Sequence, residues 1–367
     1  MTPIDVRRLT LVGLDAALEQ AAVPEPARSE WALADGAQIP TLRIAAIPGG
    51  RVLLWEIHRS LASQRTIAAW TSDGEPDTAD VARGLGALVD SVLEEARTDG
   101  ALLVKAATAS ESDPLRELLR ARGFAPMPNA GSAFSLEPPE RLHPRTMRGW
   151  VRRADGEALD LAGAPAYERQ KTEFTCGPAC AIMTLSTSGG VESDFAVEFG
   201  MWREATYFGG CDHFGVASLL AARGRDVDVL VDVDAPILGL GSEHAHYDSA
   251  IRLLVHREQE ERAAALGVAT RFGDFTLDAV DAALDEGRQV ILLVDLERLN
   301  AETVPHWLVV WGRAGSAYLV HDPWSDEDFG ETWLETSVLP LERRDLWEIA
   351  SWTEDETGPH RAAILVS

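Results

Sequence analysis

Cys176 is the residue of this chain with the clearest chemical potential, because its neighbours predict the start of a helix. Gly177 and Pro178 follow it, and the apolar segment 181–185 comes next. Proline is tolerated only in the first turn of a helix, so the helix begins close to the cysteine. Free backbone N–H groups and the helix dipole stabilise an anion there, including a thiolate. Cys176 is therefore a candidate nucleophile that needs a general base.

Two aromatic and β-branched runs near the C-terminus supply that base. Residues 306–311 and 317–322 flank the glycine-containing segment 312–316. Such a pattern predicts a β-hairpin.

A hairpin centred on Ala314 places His306 directly opposite Asp322. The same register pairs Leu308 with Val320 and Val310 with Tyr318. Directly opposed residues have Cβ atoms roughly 4.5–5.5 Å apart, within reach of an imidazole–carboxylate hydrogen bond. A slip of one residue would destroy this pairing.

These residues together predict a nucleophile, a base and an orienting acid. His306 accepts the thiol proton of Cys176, and Asp322 selects the tautomer and stabilises the charged ring. The side-chain amide of Gln170, six residues before the cysteine, and the Cys176 N–H donate to the oxyanion. One such donor contributes roughly 2.7–4 kcal/mol.

The spacing Gln-x5-Cys-Gly-Pro-Ala, a distant histidine that opens a strand and a later Asp-Pro resemble the C-39-like cysteine peptidases. The resemblance covers residues ~165–325. It implies a papain-like domain over residues 166–367, with the cysteine helix packed on an antiparallel sheet, a peptide or small amide as substrate, and Gln170, Cys176, His306 and Asp322 as catalytic residues. Exporter-linked members of the family also carry a membrane domain and an ATPase, which this sequence lacks, so their leader-peptide specificity is not implied.

Residues 1–137 have an α/β pattern that resembles the later half of GNAT acetyltransferases. A helix is predicted from about Thr78 to Arg97, and it contains the pair Gly84 and Gly86 that the family would present to acetyl-CoA. Val81 stands where that family has Gln or Arg, so the resemblance implies a degenerate domain, and no cofactor is expected. A linker over residues 138–165 completes a two-domain α+β chain.

Composition restricts the partners further. The net charge of −26 argues against general binding to nucleic acid, which needs basic patches.

No apolar run reaches the ~18–20 residues of a membrane helix, and the first residues lack the apolar core of a signal peptide, so a cytoplasmic protein without membrane contact is expected. Three cysteines do not make a disulfide framework. The sequence Cys211-Asp212-His213 lacks the usual zinc spacing, and no metal is expected.

Three functions remain compatible with the sequence. The first is hydrolysis of a peptide or amide bond. The second is acyl transfer or transpeptidation, which uses the same residues but passes the acyl group to an amine. The third is a non-catalytic peptide-binding module. Cys180 is expected to pack in the core, and His321 is expected to pack against Trp307 on the face away from Asp322.

Overall fold

The protein is an α+β structure, as the sequence predicts. The computed structural model describes residues 4–10, 14–33, 38–57, 59–109, 112–128, 147–186, 194–238, 245–326, 330–353 and 359–367. Over these residues the strands form two sheets of seven strands each. We call residues 4–153 the N-terminal unit and residues 154–367 the C-terminal unit.

The N-terminal unit contains the first sheet, in the order β1-β2-β3-β4-β5-β7-β6. Its strands are β1 (Val6–Thr10), β2 (Thr41–Ile47), β3 (Gly50–Ile57), β4 (Gln64–Gly74), β5 (Leu103–Thr108), β6 (Ala125–Pro126) and β7 (Arg148–Arg153). Its helices are α1 (Leu14–Gln20), α2 (Ala27–Trp31), α3 (Thr78–Asp99) and α4 (Pro114–Ala121). Strands β2 and β3 pair as an antiparallel hairpin, and the predicted long helix is present as α3.

Helix α3 is amphipathic and packs its apolar stripe on the first sheet. Leu85, Leu88, Val89 and Val92 are fully buried against strand residues of the same core. Asp77 caps the helix start, where its side chain accepts from the Asp80 N–H. An apolar stripe with a 3.6-residue period and a capping aspartate is what the sequence pattern shows, so this element was predictable.

Part of the predicted linker is a strand. Residues 148–153 form β7, which lies antiparallel to β5. Trp150 belongs to the core under α3, and Val151 belongs to the core shared with the C-terminal unit. Alternate residues of one strand face opposite sides of a sheet, and here both sides are covered by protein. The remaining domain boundaries stay a prediction.

The C-terminal unit contains the second sheet, in the order β13-β12-β11-β10-β14-β8-β9. Its helices are α5 (Cys176–Ser186), α6 (Phe195–Ala205), α7 (His213–Ala221), α8 (Ala245–Ala265), α9 (Leu277–Asp285), α10 (Glu297–Asn300), α11 (Trp333–Thr336) and α12 (Arg343–Ile349). Its strands are β8 (Val227–Val231), β9 (Ala269–Phe272), β10 (Gln289–Asp295), β11 (Pro305–Ala314), β12 (Ala317–His321), β13 (Leu339–Glu342) and β14 (Ala362–Val366). The helices α5 and α7 share a core with one face of this sheet, and α9 and α12 share a core with the other.

The predicted register of the β11–β12 hairpin is wrong. Ala314 pairs with Ala317 across a tighter turn, and beyond Trp311 the pairing shifts, so that Val310 faces Val320 and Val309 faces His321. The shift is a β-bulge, one extra residue on β11. The sequence pattern did not show it, because a bulge depends on the packing of the flanking strands.

The bulge nevertheless decides the geometry at the end of the hairpin. Continued past Val309 and His321, the register sets Asp322 opposite Leu308, two residues from His306 on the same side of the strand. Without the bulge, Asp322 would lie opposite Val309, and its side chain would point to the other face. His306 and Asp322 are therefore diagonal neighbours rather than a directly opposed pair.

The two units share one hydrophobic core. Leu103 and Val151 of the first sheet lie in the same buried cluster as Leu334 and Val338 of the C-terminal unit. A backbone hydrogen bond also joins the two units: the Ser63 N–H donates to the Pro340 carbonyl at 2.9 Å. No helix among the described residues combines the length and the apolar character that a membrane span requires.

Gly149 on β7 tests this shared core. A Cβ at this position would lie 2.5 Å from Cη2 of Trp333 and 3.0 Å from Cδ1 of Leu334, both in the C-terminal unit. We expect Gly149→Ala to lower the free energy of unfolding by about 1–3 kcal/mol, because the packed side chains must move. Urea denaturation followed by tryptophan fluorescence measures the change.

Gly200→Ala is the matched control. Nothing lies within 4 Å of a Cβ at this position of α6, so the substitution should raise stability by up to about 1 kcal/mol through helix propensity. Equal stability of Gly149→Ala and the wild type would contradict the packing of β7 against α11.

Candidate functional site

Cys176 is the first residue of α5, as its neighbours predict. Its side chain is buried, with 7% exposed. Gly177 is required at the next position, because a Cβ there would lie 2.8 Å from Cγ2 of Val216 and 3.2 Å from Cβ of Cys211. The close approach of α7 therefore fixes the residue type after the cysteine and holds the thiol at a helix N-terminus, where an anion is stabilised.

A buried acidic side chain anchors the loop that enters α5. Glu198 on α6 accepts from the Lys171 N–H at 2.7 Å, from Lys171 Nζ at 3.0 Å and from Thr175 Oγ1 at 2.5 Å. Lys171 Nζ also contacts Glu168. The sequence analysis missed this network, because nothing in the spacing of Glu198 links it to a loop more than twenty residues earlier. The network immobilises the backbone between Gln170 and Cys176.

Gln170 lies in the same loop with 2% of its surface exposed. Its N–H donates to the Pro323 carbonyl at 2.9 Å, next to Asp322. Its Nε2 donates to the Thr172 carbonyl at 2.8 Å, and no described protein group bonds its buried Oε1. A side-chain amide has two N–H groups, so the bond to Thr172 leaves one of them for another acceptor.

His306 and Asp322 are brought together by the bulged hairpin. His306 Nε2 lies 2.8 Å from Asp322 Oδ1, and both side chains are buried. The Trp324 N–H donates to the same carboxylate oxygen at 2.8 Å, and the Asp322 N–H donates to the Thr336 carbonyl at 3.0 Å. Because Nε2 bonds the carboxylate, Nδ1 is the ring nitrogen left for exchange of a proton with Cys176.

The charges of this pair are mutually stabilised. Burial lowers the pKa of His306, but the charge of Asp322, the hydrogen bond to it and the contact with Cys176 outweigh burial and raise that pKa to about 10. Burial raises the pKa of Asp322, but the charge of His306 and its hydrogen bond, together with the charge of Arg59, hold it below its usual value. The arrangement favours an imidazolium–carboxylate pair at neutral pH.

Arg59 completes this site from the N-terminal unit. Its Nη1 donates to Asp322 Oδ2 at 3.2 Å, and its other two nitrogens, Nε and Nη2, donate to Glu331 at 2.6 and 2.5 Å. All three side chains are buried. The sequence analysis missed Arg59, since a single arginine 263 residues before Asp322 carries no local signal. Its bonds to two buried carboxylates mean that the N-terminal unit contributes directly to the electrostatics of the His–Asp pair.

Lys105 of the N-terminal unit holds the segment behind Asp322. Its side chain is fully buried, and Nζ donates to the carbonyls of Leu334 at 2.9 Å and Ser337 at 2.6 Å. The intervening Thr336 carbonyl is the acceptor for the Asp322 N–H. The backbone and the side chain of Asp322 are therefore both supported from the first sheet.

His321 lies outside the His–Asp pair and is a structural histidine. Its Nδ1 accepts from the Val338 N–H at 3.0 Å, so Nε2 carries the proton and donates to the Pro165 carbonyl at 3.0 Å. Burial lowers its pKa to about 4. Its ring packs against Tyr167 and Trp311. The predicted neighbour was Trp307, but the observed register sets His321 opposite Val309.

Cys180 and Cys211 are free, fully buried thiols. Cys180 Sγ donates to the Trp307 carbonyl at 3.2 Å, in agreement with a packing role. Burial raises the pKa of both thiols well above the usual value. A thiol with a raised pKa is a poor nucleophile at neutral pH.

Gly84 and Gly86 lie inside α3 and not at its N-terminus. A Cβ at Gly84 would lie 2.9 Å from the side chains of both Ile47 and Val52. The Gly86 carbonyl accepts from Arg122 Nη2 at 3.1 Å. An anion site at a helix start needs free N–H groups, which residues in the middle of a helix do not offer. Gly84 allows close packing of α3 on the sheet, and Gly86 lies against Arg122 and Leu118 at α4.

Comparison with known proteins gives different relatives for the two parts of the chain. A family model described as "Peptidase_C39 like family" matches residues 165–367. Solved structures similar to the N-terminal part are acetyltransferases, and each covers 41% of this chain. One is from Bacillus subtilis in complex with CoA, with 12% identity, 97% of that chain covered and a TM-score of 0.28. Another is an IAA acetyltransferase from Bacillus cereus, with 12% identity, 99% coverage and a TM-score of 0.29. No curated protein matches the chain.

The raised pKa of His306 predicts a pH dependence of stability. The folded protein holds the proton up to about pH 10, whereas the usual pKa is 6.5. The contribution of the charged ring is fully present below pH 6.5 and is lost as the pH rises through 10, because the unfolded chain binds fewer protons in that window. We expect the difference in unfolding free energy between wild type and His306→Gln to shrink with pH, by up to about 1.4 kcal/mol per unit.

Urea denaturation of both proteins between pH 6 and 10 measures this difference. A second pair of proteins that both carry Cys176→Ala removes the titration of the neighbouring thiol from the comparison. A difference that stays constant over the window would show that His306 gains no proton on folding.

Removing the Arg59 guanidinium should leave the buried Glu331 without a counter-ion and Asp322 with His306 as its remaining charged partner. We expect Arg59→Met to lower the free energy of unfolding by about 3–5 kcal/mol. The double variant Arg59→Met/Glu331→Gln should recover part of that loss, because it also removes the carboxylate charge of Glu331, which has lost its partner. Denaturation at pH 7 measures all three proteins. As a control, Arg298→Met removes a partly exposed ion pair with Glu348 and should cost at most about 1 kcal/mol. Equal losses for Arg59→Met and the control would contradict a buried role for Arg59.

Proposed function

Because the chain belongs to the Peptidase_C39 like family, we propose that it is a papain-like, thiol-dependent hydrolase that cleaves a peptide or small amide bond. Cys176 is the nucleophile, His306 the general base and acid, and Asp322 the residue that orients His306. Gln170 and the Cys176 N–H form the oxyanion hole. No metal or organic cofactor takes part in the proposed chemistry.

The observation that carries the proposal is the buried His306–Asp322 pair in contact with a cysteine at a helix N-terminus. A structural cysteine needs none of these features. Burial raises the pKa values of Cys180 and Cys211, so neither of these thiols is a good nucleophile at neutral pH. An imidazolium beside a thiolate is the resting state that cysteine hydrolases use.

The first half of the reaction forms an acyl-enzyme. The Cys176 thiol gives its proton to Nδ1 of His306, and the thiolate attacks the carbonyl carbon of the substrate. The carbonyl oxygen becomes an oxyanion, which the remaining N–H of the Gln170 amide and the Cys176 backbone N–H stabilise. As the C–N bond breaks, His306 passes its proton to the leaving amine. The products of this half are a free amine and a thioester on Cys176.

The second half releases the acid. His306 takes a proton from water, and the resulting hydroxide attacks the thioester carbonyl. The C–S bond breaks and the thiolate leaves. Asp322 stays ionised throughout, stabilised by Arg59, and keeps Nε2 of His306 as the donor to its carboxylate. Arg59 is a positioning residue in this scheme, because it acts through Asp322.

The test is hydrolysis of a peptide library with the products identified by mass spectrometry. We expect Cys176→Ala and His306→Ala to abolish the new termini that wild type produces. Asp322→Asn should retain more activity than His306→Ala, because Asp322 orients the base and does not transfer the proton. Cys180→Ala is the matched control and should remain active. Wild-type turnover in Cys176→Ala would exclude the thiol mechanism.

Alkylation by iodoacetamide tests the same site without a substrate. We expect Cys176 to react near neutral pH faster than Cys180, Cys211 or free cysteine, and His306→Ala to slow its reaction. Peptide mapping of the labelled protein identifies the modified thiol. A Cys176 that reacts no faster than free cysteine would favour a non-catalytic binding module.

A further inference from the structure

Three potential metal ligands converge between α7 and α8, on residues that the proposed hydrolase mechanism does not use. Asp212 caps α7, His213 is its first residue and His256 lies on α8. One donor atom of each lies within 4.8 Å of the others. Asp212 Oδ1 is 2.9 Å from His213 Nδ1 and 3.4 Å from His256 Nδ1. The sequence shows only the first two residues side by side, so the cluster depends on the fold.

Both histidines are buried without a conventional hydrogen-bond partner. His213 is 0% exposed and His256 is 3% exposed. Among the described residues, no protein group is in hydrogen-bonding geometry with either ring nitrogen of either histidine. Buried polar atoms in folded proteins nearly always have a partner, and an unsatisfied one destabilises the fold. Two of these nitrogens, the Nδ1 atoms, face the same Asp212 oxygen, and one shared ion would satisfy both of them.

The distances match common coordination of one ion. Two ligands about 2.0–2.1 Å from a tetrahedral zinc ion lie about 3.3 Å apart. The separations of Asp212 Oδ1 from the two imidazole nitrogens, 2.9 and 3.4 Å, bracket that value. In such a site each nitrogen lone pair points at the ion and not at the neighbouring oxygen. This arrangement explains why Asp212 Oδ1 and the two Nδ1 atoms lie close together although the angles of a hydrogen bond are not met.

We propose that Asp212, His213 and His256 bind a divalent transition-metal ion of the zinc type. The ligands are Asp212 Oδ1 and the Nδ1 atoms of the two histidines, a donor set that suits zinc. Asp234 and Glu260 form a second close group with His256. They place carboxylates near the ring, and a carboxylate is the usual outer partner of a metal-bound imidazole. Water fills the fourth position.

The ion has a structural role in this proposal. It ties the start of α7 to α8 and so fixes the backbone at Cys211, whose carbonyl accepts from Trp307 Nε1 at 2.9 Å. Cys211 also lies against Gly177, the residue after the candidate nucleophile. Loss of the ion should therefore weaken the packing of Cys211 against the start of α5, while every proposed catalytic group stays in the chain.

Metal content and thermal stability test the proposal independently of hydrolase activity. Elemental analysis of the purified full-length protein should find one zinc per chain. Removal of the metal with a chelator should lower the Tm, and one equivalent of Zn²⁺ should restore it. Co²⁺ added to the apoprotein should give the visible absorption of a tetrahedral nitrogen–oxygen site.

Asp212→Asn and His256→Ala are the informative variants. Asparagine keeps the helix cap but removes the carboxylate charge, so its effect on metal binding is separable from folding. Competition with a chromophoric chelator should show at least about tenfold weaker zinc binding for both variants. His360→Ala, a histidine outside the cluster, should bind as tightly as wild type.

Two results would overturn the proposal. One is an apoprotein whose Tm does not respond to Zn²⁺ and that takes up none in the competition. The other is unchanged zinc affinity in Asp212→Asn and His256→Ala, which would place any bound metal elsewhere in the chain. If a variant fails to fold, the response of the wild-type apoprotein to Zn²⁺ still decides the question.

Discussion

The buried ion pair between Arg59 and Asp322 is the interaction on which the candidate site depends. A carboxylate that is 0% exposed is costly to desolvate unless its charge and its lone pairs are satisfied. Asp322 achieves this with three donors: the His306 ring, the Trp324 N–H and the Arg59 guanidinium. Arg59 in turn is neutralised by Glu331 as well. Each group is tolerated in the interior only because the others are present.

This interdependence gives the N-terminal unit a physical role at the site. Arg59 reaches the Asp322 side chain, and Lys105 holds the α11 segment whose Thr336 carbonyl accepts from the Asp322 backbone. Two units that were connected only by a flexible linker could not supply such contacts. The shared core and the strand β7 keep them in register. The two glycines of α3 also contribute to this packing, since Gly84 lies against the first sheet and Gly86 against Arg122.

Elements with a strong local pattern were predictable from the sequence. The amphipathic period of α3 and the Gly-Pro after Cys176 are local signals, and both predicted helices are present. The register of the β11–β12 hairpin was not predictable. The bulge at Trp311 reflects packing on both faces of the sheet, which the order of residues in two strands does not encode. The sequence also placed β7 in a linker, because the partner strand β5 lies some forty residues earlier.

The sequence by itself determined which residue types could do chemistry: a cysteine at a helix start, a glutamine six residues before it and a histidine and an aspartate in one hairpin. Only the tertiary structure decided their environment. Arg59, Lys105 and Glu198 come from distant parts of the chain, and the gathering of Asp212, His213 and His256 needs two helices to pack together. Charges and metal ligands act over a few ångströms in space, so their partners follow from the fold and not from spacing along the chain.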